Sequence, residues 1–202
     1  INNIIFLIKK LKKKPEVLIS ASAIGYYGSQ DNSILNENSH PRNEFTHQLC
    51  KKWETEAQKA EEFGVRICIT RLGVVLGKNG GALRQMLPPF KMGLGGIIGS
   101  GKQYFSWVHA NDVISAFSFL IENKKLSGIY NLTAPHPVTN AIFTKTLGKH
   151  LKRPTIFPMP AFVVKILFGE MGETLLLNGQ RVIPQKLEKS GFKFKYTTID
   201  KA

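Results

Sequence analysis

The 202-residue chain is short of cysteine, short of acid and without a long apolar run. Its two cysteines, Cys50 and Cys68, form no Cys-x-x-Cys pair and no Cys/His cluster of metal-ligand spacing. No metal site is therefore expected, and a reduced, cytoplasmic protein is the simplest reading. No apolar stretch approaches the roughly 18 residues that a membrane span needs. The opening IIFLI is followed by KKLKKK, whereas a secretion signal carries its positive charge ahead of the apolar part. A membrane is thus not an expected partner. The chain opens on Ile1 rather than Met, which points to a true N-terminus upstream. Acid is scarce, with 14 Asp and Glu against 28 Lys and Arg, a formal charge of +14. Such an excess raises nucleic acid as a partner. The basic residues are dispersed, however, apart from KKLKKK (9–14) and KFK (193–195), and no aromatic and basic RNA-binding pattern accompanies them. Lys9, Lys10, Lys12, Lys13 and Lys14 read instead as a solvated helix end, where cations suit the dipole. A diffuse basic surface also suits a phosphate-bearing cofactor, and no nucleic-acid partner is expected.

What is present is an alternation of strands and helices. The pattern predicts a helix over 1–13 ended by Pro15 and a strand over 16–21. A polar loop over 28–43 follows, then a helix over 44–63 closed by Gly64. VRICITRLGVVLG (65–77) reads as one strand. Strand, helix and strand at this spacing form a βαβ unit and imply a parallel sheet. A short helix over 82–91, a glycine-rich stretch with short strands, a helix over 110–123, a strand in GIYNLTA (128–134) and a helix over 139–151 complete the pattern. From Arg153 prolines cluster, and residues 161–169 and 179–190 read as a smaller helical tail. The division expected is 1–152 as part of a Rossmann-like domain and 153–202 as a small C-terminal lobe.

ISASAIGYYG (19–28) stands out. Small residues end an apolar strand and glycines allow a sharp exit, at the carboxyl end where open α/β sheets bind ligands. The stretch reads as the floor of a site.

LISASAIGYYG, TRLGVVLGKNGGAL, GLGGIIGSGKQYFSWVHANDV, YNLTAP and GQRVIPQKLEKSGFKFKYTT occur here in one order. With these motifs the chain, from end to end, closely resembles the atypical short-chain dehydrogenase/reductases of the nucleoside-diphosphate-sugar epimerase-like group. Some members of that group carry a cell-division label. The resemblance implies an α/β fold, a Rossmann parallel sheet with flanking helices plus a small, mainly helical C-terminal lobe. It implies binding of NADP(H), with NAD(H) the alternative, and a small-molecule substrate such as a nucleotide sugar. The family's glycine-rich turn, which cradles the pyrophosphate, is not in this sequence. GLGGIIG lies far downstream and opens no helix. The resemblance places Ile1 in the helix before the fifth strand, so the N-terminal strands are expected to lie outside these residues. Weak or absent cofactor binding by this chain follows.

The wider superfamily pairs a strand-end Ser with a Tyr-x-x-x-Lys, in which Tyr moves the proton and Lys lowers its pKa. Residues four after each tyrosine are Gln30, Asp31, Val108, Ala134 and Asp200, so no such pair exists here. The resemblance therefore assigns catalysis to Ser22 with Tyr26 and Tyr27, against backbone bonding for Ser22 and aromatic packing for the tyrosines. Ser20, Ala21, Lys52, Arg71, Gly73, Val74 and Val75 are the cofactor candidates, with a structural ion pair as the other reading of Arg71. His109 and Arg181 are the substrate candidates, and Asp112 is the expected cap of the following helix. The expected function is an NADP(H)-dependent oxidoreductase or a nucleotide-sugar epimerase-like protein. The alternatives are a non-catalytic NADP(H) sensor and a division-related interaction protein. Without the preceding strands, VLISA becomes a sheet edge with no proline or inward charge, and such edges pair with other chains. A homodimer is the expected state.

Overall fold

The computed structural model describes residues 1–78, 80–172 and 176–202. Its centre is a three-stranded parallel sheet of β1 (Val17–Ala23), β3 (Arg66–Leu72) and β7 (Gly128–Leu132), in the order β1-β3-β7. Val17 pairs with Arg66, and Cys68 with Gly128. The middle strand, RICITRL, is buried along nearly its whole length, as an apolar run covered on both faces must be. Successive side chains point to opposite faces, which divides the core in two. Ile67 and Ile69 pack with Ala60, Val65 and Ile8, under α1 (Asn2–Lys10) and α2 (Phe45–Gln58). Cys68 packs on the other face with Ala116, Leu120, Tyr130 and Leu132, under α4 (Ala110–Glu122).

Local chemistry sets the ends of these elements. The α2 segment passes through a 3₁₀ turn and stops at Gly64, whose φ of 74° suits glycine. Lys14 folds back over the end of α1, and its ammonium donates to the carbonyls of Ile8, Lys9 and Leu11 at 2.8, 3.0 and 2.7 Å. The lysine run thus satisfies the orphan carbonyls of a helix end. β1 occupies one edge of the sheet, with Ile4, Phe6 and Leu7 of α1 exposed nearby.

Residues 65–77 do not form one strand. At Gly73 the chain leaves the central sheet, and β4 (Val74–Gly77) pairs in parallel with β6 (Trp107–His109). Gly73 N–H donates to Leu132 and Val74 N–H to Ser106, at 3.1 and 2.8 Å. A Cβ at Gly73 would stand 2.6 Å from the Ser106 carbonyl and 2.9 Å from Thr133 Cγ2. The split is therefore a close approach of backbones, which an apolar pattern does not encode. Beyond it lie α3 (Gly81–Lys91), the antiparallel pair β5 (Tyr104–Phe105) and β8 (Val138–Thr139), and α5 (Asn140–Leu151). α6 (Ala161–Gly172) follows.

The polar loop 28–43 holds β2 (Ile34–Leu35), paired in parallel with β9 (Arg181–Val182). Residues expected to be helical from 179 are thus extended first, and only α7 (Gln185–Lys189) is helix. Two-residue strands carry no periodicity to read. Glu37 ties this loop down, accepting from Asn131 N at 2.9 Å and from Lys186 N at 3.2 Å. Leu187 and Phe192 then join Tyr130 and Leu132 in one cluster. At the start of α4 the cap is His109, whose Nδ1 accepts from Asn111 N at 3.1 Å. Asp112 is not the cap. Its carboxylate accepts from Lys195 N and Tyr196 N, both at 3.0 Å.

Gly73→Ala tests the split. Overpacking of this kind costs about 1–3 kcal/mol, so the thermal midpoint should fall by roughly 2–10 °C. An unchanged melting curve would show that the backbones part readily there.

Candidate functional site

The buried face of α2 is set by a stripe of His47, Cys50, Glu54 and Ala57, at the three- and four-residue spacing of one helix side. The stripe brings a carboxylate into the core, where a charge must be paired. Its partner comes from β3. Arg71 Nε and Nη2 donate to Glu54 Oε1 and Oε2, each at 2.8 Å, a bidentate pair. Both side chains are nearly sealed, at 2% and 6% exposure. Ser22 adds its hydroxyl to Glu54 Oε1 at 2.8 Å. Arg71 Nη1 donates to the Tyr27 hydroxyl at 3.0 Å, and Tyr27 donates on to Asn131 Oδ1 at 2.8 Å. Tyr26 closes the set, its ring centroid 3.3 Å from the guanidinium carbon of Arg71. His47 Nδ1 lies 2.8 Å from the Tyr26 carbonyl, which only accepts, so that nitrogen carries the proton.

Electrostatics keep these groups in one state. Burial works against the Arg71 charge, but the hydrogen bonds and charges of Glu54 and Tyr27 more than offset it and hold its pKa above the ordinary range. Burial pushes the Tyr27 phenol up, with Arg71 pulling the other way. Burial likewise raises the Cys50 thiol.

Above this network a cleft of about 340 Å³ opens at the carboxyl ends of β1 and β3. One wall is Ala23, Ile24 and Gly25, with Gly73 and Val74 beside it. The second wall is α2, through Thr46, Cys50 and Trp53. The third is Tyr104, Phe105 and Ser106 with residues 178–180. That third wall is pinned from behind, because Ser106 Oγ donates to the Gln180 carbonyl at 2.6 Å and accepts from Val182 N at 3.0 Å. Gly179 lies so close to the Tyr104 backbone that no Cβ fits.

The structure distributes the expected site residues among several places. Gly73 and Val74 line the cleft, with their N–H groups already bonded to Leu132 and Ser106. Ser22 does not line it. It is 5% exposed and points at Glu54, so the expectation that it faces the pocket is corrected. β-strand alternation places Ser22 towards α2, while Ala21 and Ala23 emerge elsewhere. Tyr27 is fully buried and Tyr26 lies under Arg71. Arg71 closes an internal ion pair and is only 1% exposed, so its side chain does not reach a cofactor. Ala21 and Lys52 line a separate open groove with Ile1 and Glu56. Ser20 is half-buried, and its carbonyl accepts from Thr70 Oγ1 at 3.4 Å. Val75 packs on the core cluster around Val108 and Leu132. His109 lines another cavity, between α3 and α5, and stacks on Tyr196 at 3.7 Å. Arg181 does not line the cleft; its guanidinium lies 5.0 Å from the ring of Tyr104, which does.

Sequence reasoning missed Glu54, Tyr104 and the 178–180 wall. Glu54 carried a signal. It is a carboxylate on the apolar stripe of a helix that faces a strand carrying a buried arginine. Tyr104 carried none, since only the fold brings β5 to the ends of β1 and β3.

Residues 2–133 match the model of the NAD dependent epimerase/dehydratase family, and residues 159–202 match a domain of unknown function, DUF1731. An epimerase family protein of Mycobacterium bovis is 46% identical over 92% of this chain and 62% of its own length. The chloroplastic epimerase family protein SDR39U1 homolog of Arabidopsis thaliana is 42% identical over 94% of this chain and 54% of its own. This chain therefore spans about three-fifths of the length of such relatives. Among solved structures, the human epimerase family protein SDR39U1 with NADPH superposes with a TM-score of 0.88 at 31% identity. That match covers 100% of this chain and 68% of the human one. A nucleoside-diphosphate sugar epimerase of Corynebacterium glutamicum superposes with a TM-score of 0.78 at 31% identity, over 98% of this chain and 39% of that one.

Two measurements test the network. Arg71→Met leaves Glu54 buried without its cation, which costs about 3–5 kcal/mol, or roughly 10 °C in thermal midpoint. Adding Glu54→Leu should restore most of that loss, since an apolar pair of similar volume is often neutral. A double variant no better than the single one would show that the pair is not the unit at work. The raised pKa values of Cys50, Cys68, Tyr27 and Tyr130 set an alkaline limb. Unfolding lets these groups ionise at their ordinary values, so the folded state binds more protons and stability falls as pH rises. The thermal midpoint should hold up to about pH 8.5 and decline beyond it. Replacing both cysteines by alanine should move the onset of decline towards about pH 10.

Proposed function

The chain belongs to the NAD dependent epimerase/dehydratase family, and from that premise we propose that its cleft is the nicotinamide and substrate end of an NAD(P)(H)-dependent hydride-transfer site. The carrying observation is position. The cleft opens at the carboxyl ends of β1 and β3, where parallel α/β sheets hold their ligands. Its volume of about 340 Å³ falls within the range of small-molecule pockets. Ala23, Gly25 and Gly73 supply a wall without bulk, which fits the close approach of a flat ring. The human relative's structure is one with NADPH, which supports NADP(H) as the cofactor here. The nicotinamide, when bound, supplies or accepts the hydride.

The chain's own residues do the rest. Ala23 to Gly25 and Gly73 seat the ring. Thr46 and the amides of residues 178 and 180 orient a substrate oxygen. Tyr104 and Cys50 are the ionisable side chains among the lining residues, and burial holds the thiol protonated. Tyr104 is therefore the group assigned to carry a proton. A second reading, an NADP(H)-binding protein without turnover, is favoured by one observation. Ser22 and Tyr27, the acid–base groups expected at the strand end, are committed to Glu54, Arg71 and Asn131.

No Gly-x-x-Gly-x-x-Gly run that opens a helix occurs in these 202 residues, since Gly77, Gly80 and Gly81 between β4 and α3 lack that spacing and GLGGIIG (93–99) leads into no helix. Such a turn supplies much of a dinucleotide's pyrophosphate affinity. NADPH should bind this chain measurably but no tighter than roughly 0.1 mM, about −5.5 kcal/mol, by calorimetry. Ala23→Phe should abolish the binding by filling the ring's place. Saturation in the low micromolar range would reveal a phosphate site elsewhere, and binding indifferent to Ala23→Phe would remove the nicotinamide from this cleft.

A further inference from the structure

The cleft's chemistry bears on what reacts there. Resting on the reading of this cleft as the hydride-transfer site, we infer that its substrate is a neutral, mainly apolar carbonyl compound rather than a nucleotide sugar.

No side chain with a full charge lines the cleft among the described residues. Its walls are aliphatic and aromatic, from Ile24, Leu49, Trp53, Leu72 and Phe105. Its polar groups are neutral hydroxyls and amides together with a protonated thiol. A pyrophosphate at the mouth of such a site needs cations or free backbone N–H groups. The N–H groups of Gly73 and Val74 are already spent inside the fold, as is that of Val182. Arg71, next in sequence to the lining residue Leu72, is locked on Glu54 below the cleft.

Four cations remain nearby, Arg181, Lys102, Lys51 and Lys52, the last two between the lining residues Cys50 and Trp53 on α2, and none of the four is among the described lining residues of the cleft. Arg181 lies over the Tyr104 ring, with its strand held in register against Ile34. Lys102 lies in the adjoining cavity, which Asp31 also lines, while the Asp31 carboxylate is 3.8 Å from Arg42. A lining without a cation is a poor match for a group of two negative charges, whereas its apolar walls give an uncharged ligand a favourable transfer from water. The hydroxyls of Thr46 and Tyr104 supply donors for one carbonyl oxygen, enough to orient it without burying a charge.

The chain has two tryptophans, of which Trp53 lines the cleft and Trp107 is fully buried. Their indole N–H resonances in a proton–nitrogen correlation spectrum of this 202-residue chain therefore report separately, with Trp53→Phe giving the assignment. Titration with acetophenone should shift the Trp53 signal saturably and leave that of Trp107 in place. UDP-glucose at the same concentrations should shift neither, and Ala23→Phe should remove the acetophenone effect. A saturable shift of Trp53 by UDP-glucose, lost in Arg181→Ala, would overturn the inference in favour of a nucleotide sugar. Absence of a shift with acetophenone would overturn it as well. NADPH is titrated in parallel. If acetophenone shifts Trp53 and NADPH does not, the cofactor reading fails while the apolar ligand class stands. If NADPH shifts Trp53 and acetophenone does not, the substrate class alone fails.

Discussion

The bidentate pair between Glu54 and Arg71 is the constraint on which the rest depends. Two full charges inside the core are costly unless each is satisfied, and here every remaining bond of the pair is assigned to a particular neighbour. Ser22 fixes the end of β1, Tyr27 the turn that follows it, Asn131 the end of β7, and Tyr26 lies on the guanidinium face. Three segments distant in sequence, around residues 22–27, 71 and 131, are thereby held to one helix. An apolar contact tolerates sliding. A network of directional bonds in a medium of low dielectric does not.

That network explains why the cleft above it is lined by uncharged groups. The charged and acid–base side chains at the strand ends are consumed in holding the ends together. The surface left for a ligand on this side is residues 23–25, 72–74 and the side of α2 that carries Thr46, Cys50 and Trp53. The opposite wall is brought by residues 104–106 and 178–180, fastened through Ser106. The C-terminal segment is thus bound into the site from the far side, through β9 on β2 and through Glu37 on Lys186 and Asn131.

Membership of the NAD dependent epimerase/dehydratase family gives this arrangement a chemical setting. Among the relatives, the human structure is one with NADPH. The cleft's lack of charge among its described lining residues separates the question of cofactor from that of substrate. A dinucleotide needs its phosphates held, for which the cleft's described lining carries no cation. A substrate confined to the cleft meets only apolar walls and neutral donors.

Much of the fold was legible along the chain. Val17–Ala23, Arg66–Leu72 and Gly128–Leu132 announce buried parallel strands because a strand covered on both faces must be apolar throughout. α2 and α4 announce themselves by their apolar stripes and their stops. The missing Tyr-x-x-x-Lys was equally plain, since it is a matter of spacing alone. The orientation of Ser22 was not legible, because strand alternation assigns a face only after the covering helix is known. Nor was the exit at Gly73, where the reason for glycine is a carbonyl of Ser106 that lies 33 residues further on in the chain. Sequence by itself determined the periodic elements, since periodicity is a local consequence of burial. Tertiary structure alone decided which polar groups meet. A hydrogen bond needs both partners within about 3 Å, and only the packed sheet brings β1, α2, β3, β5 and β9 to that distance.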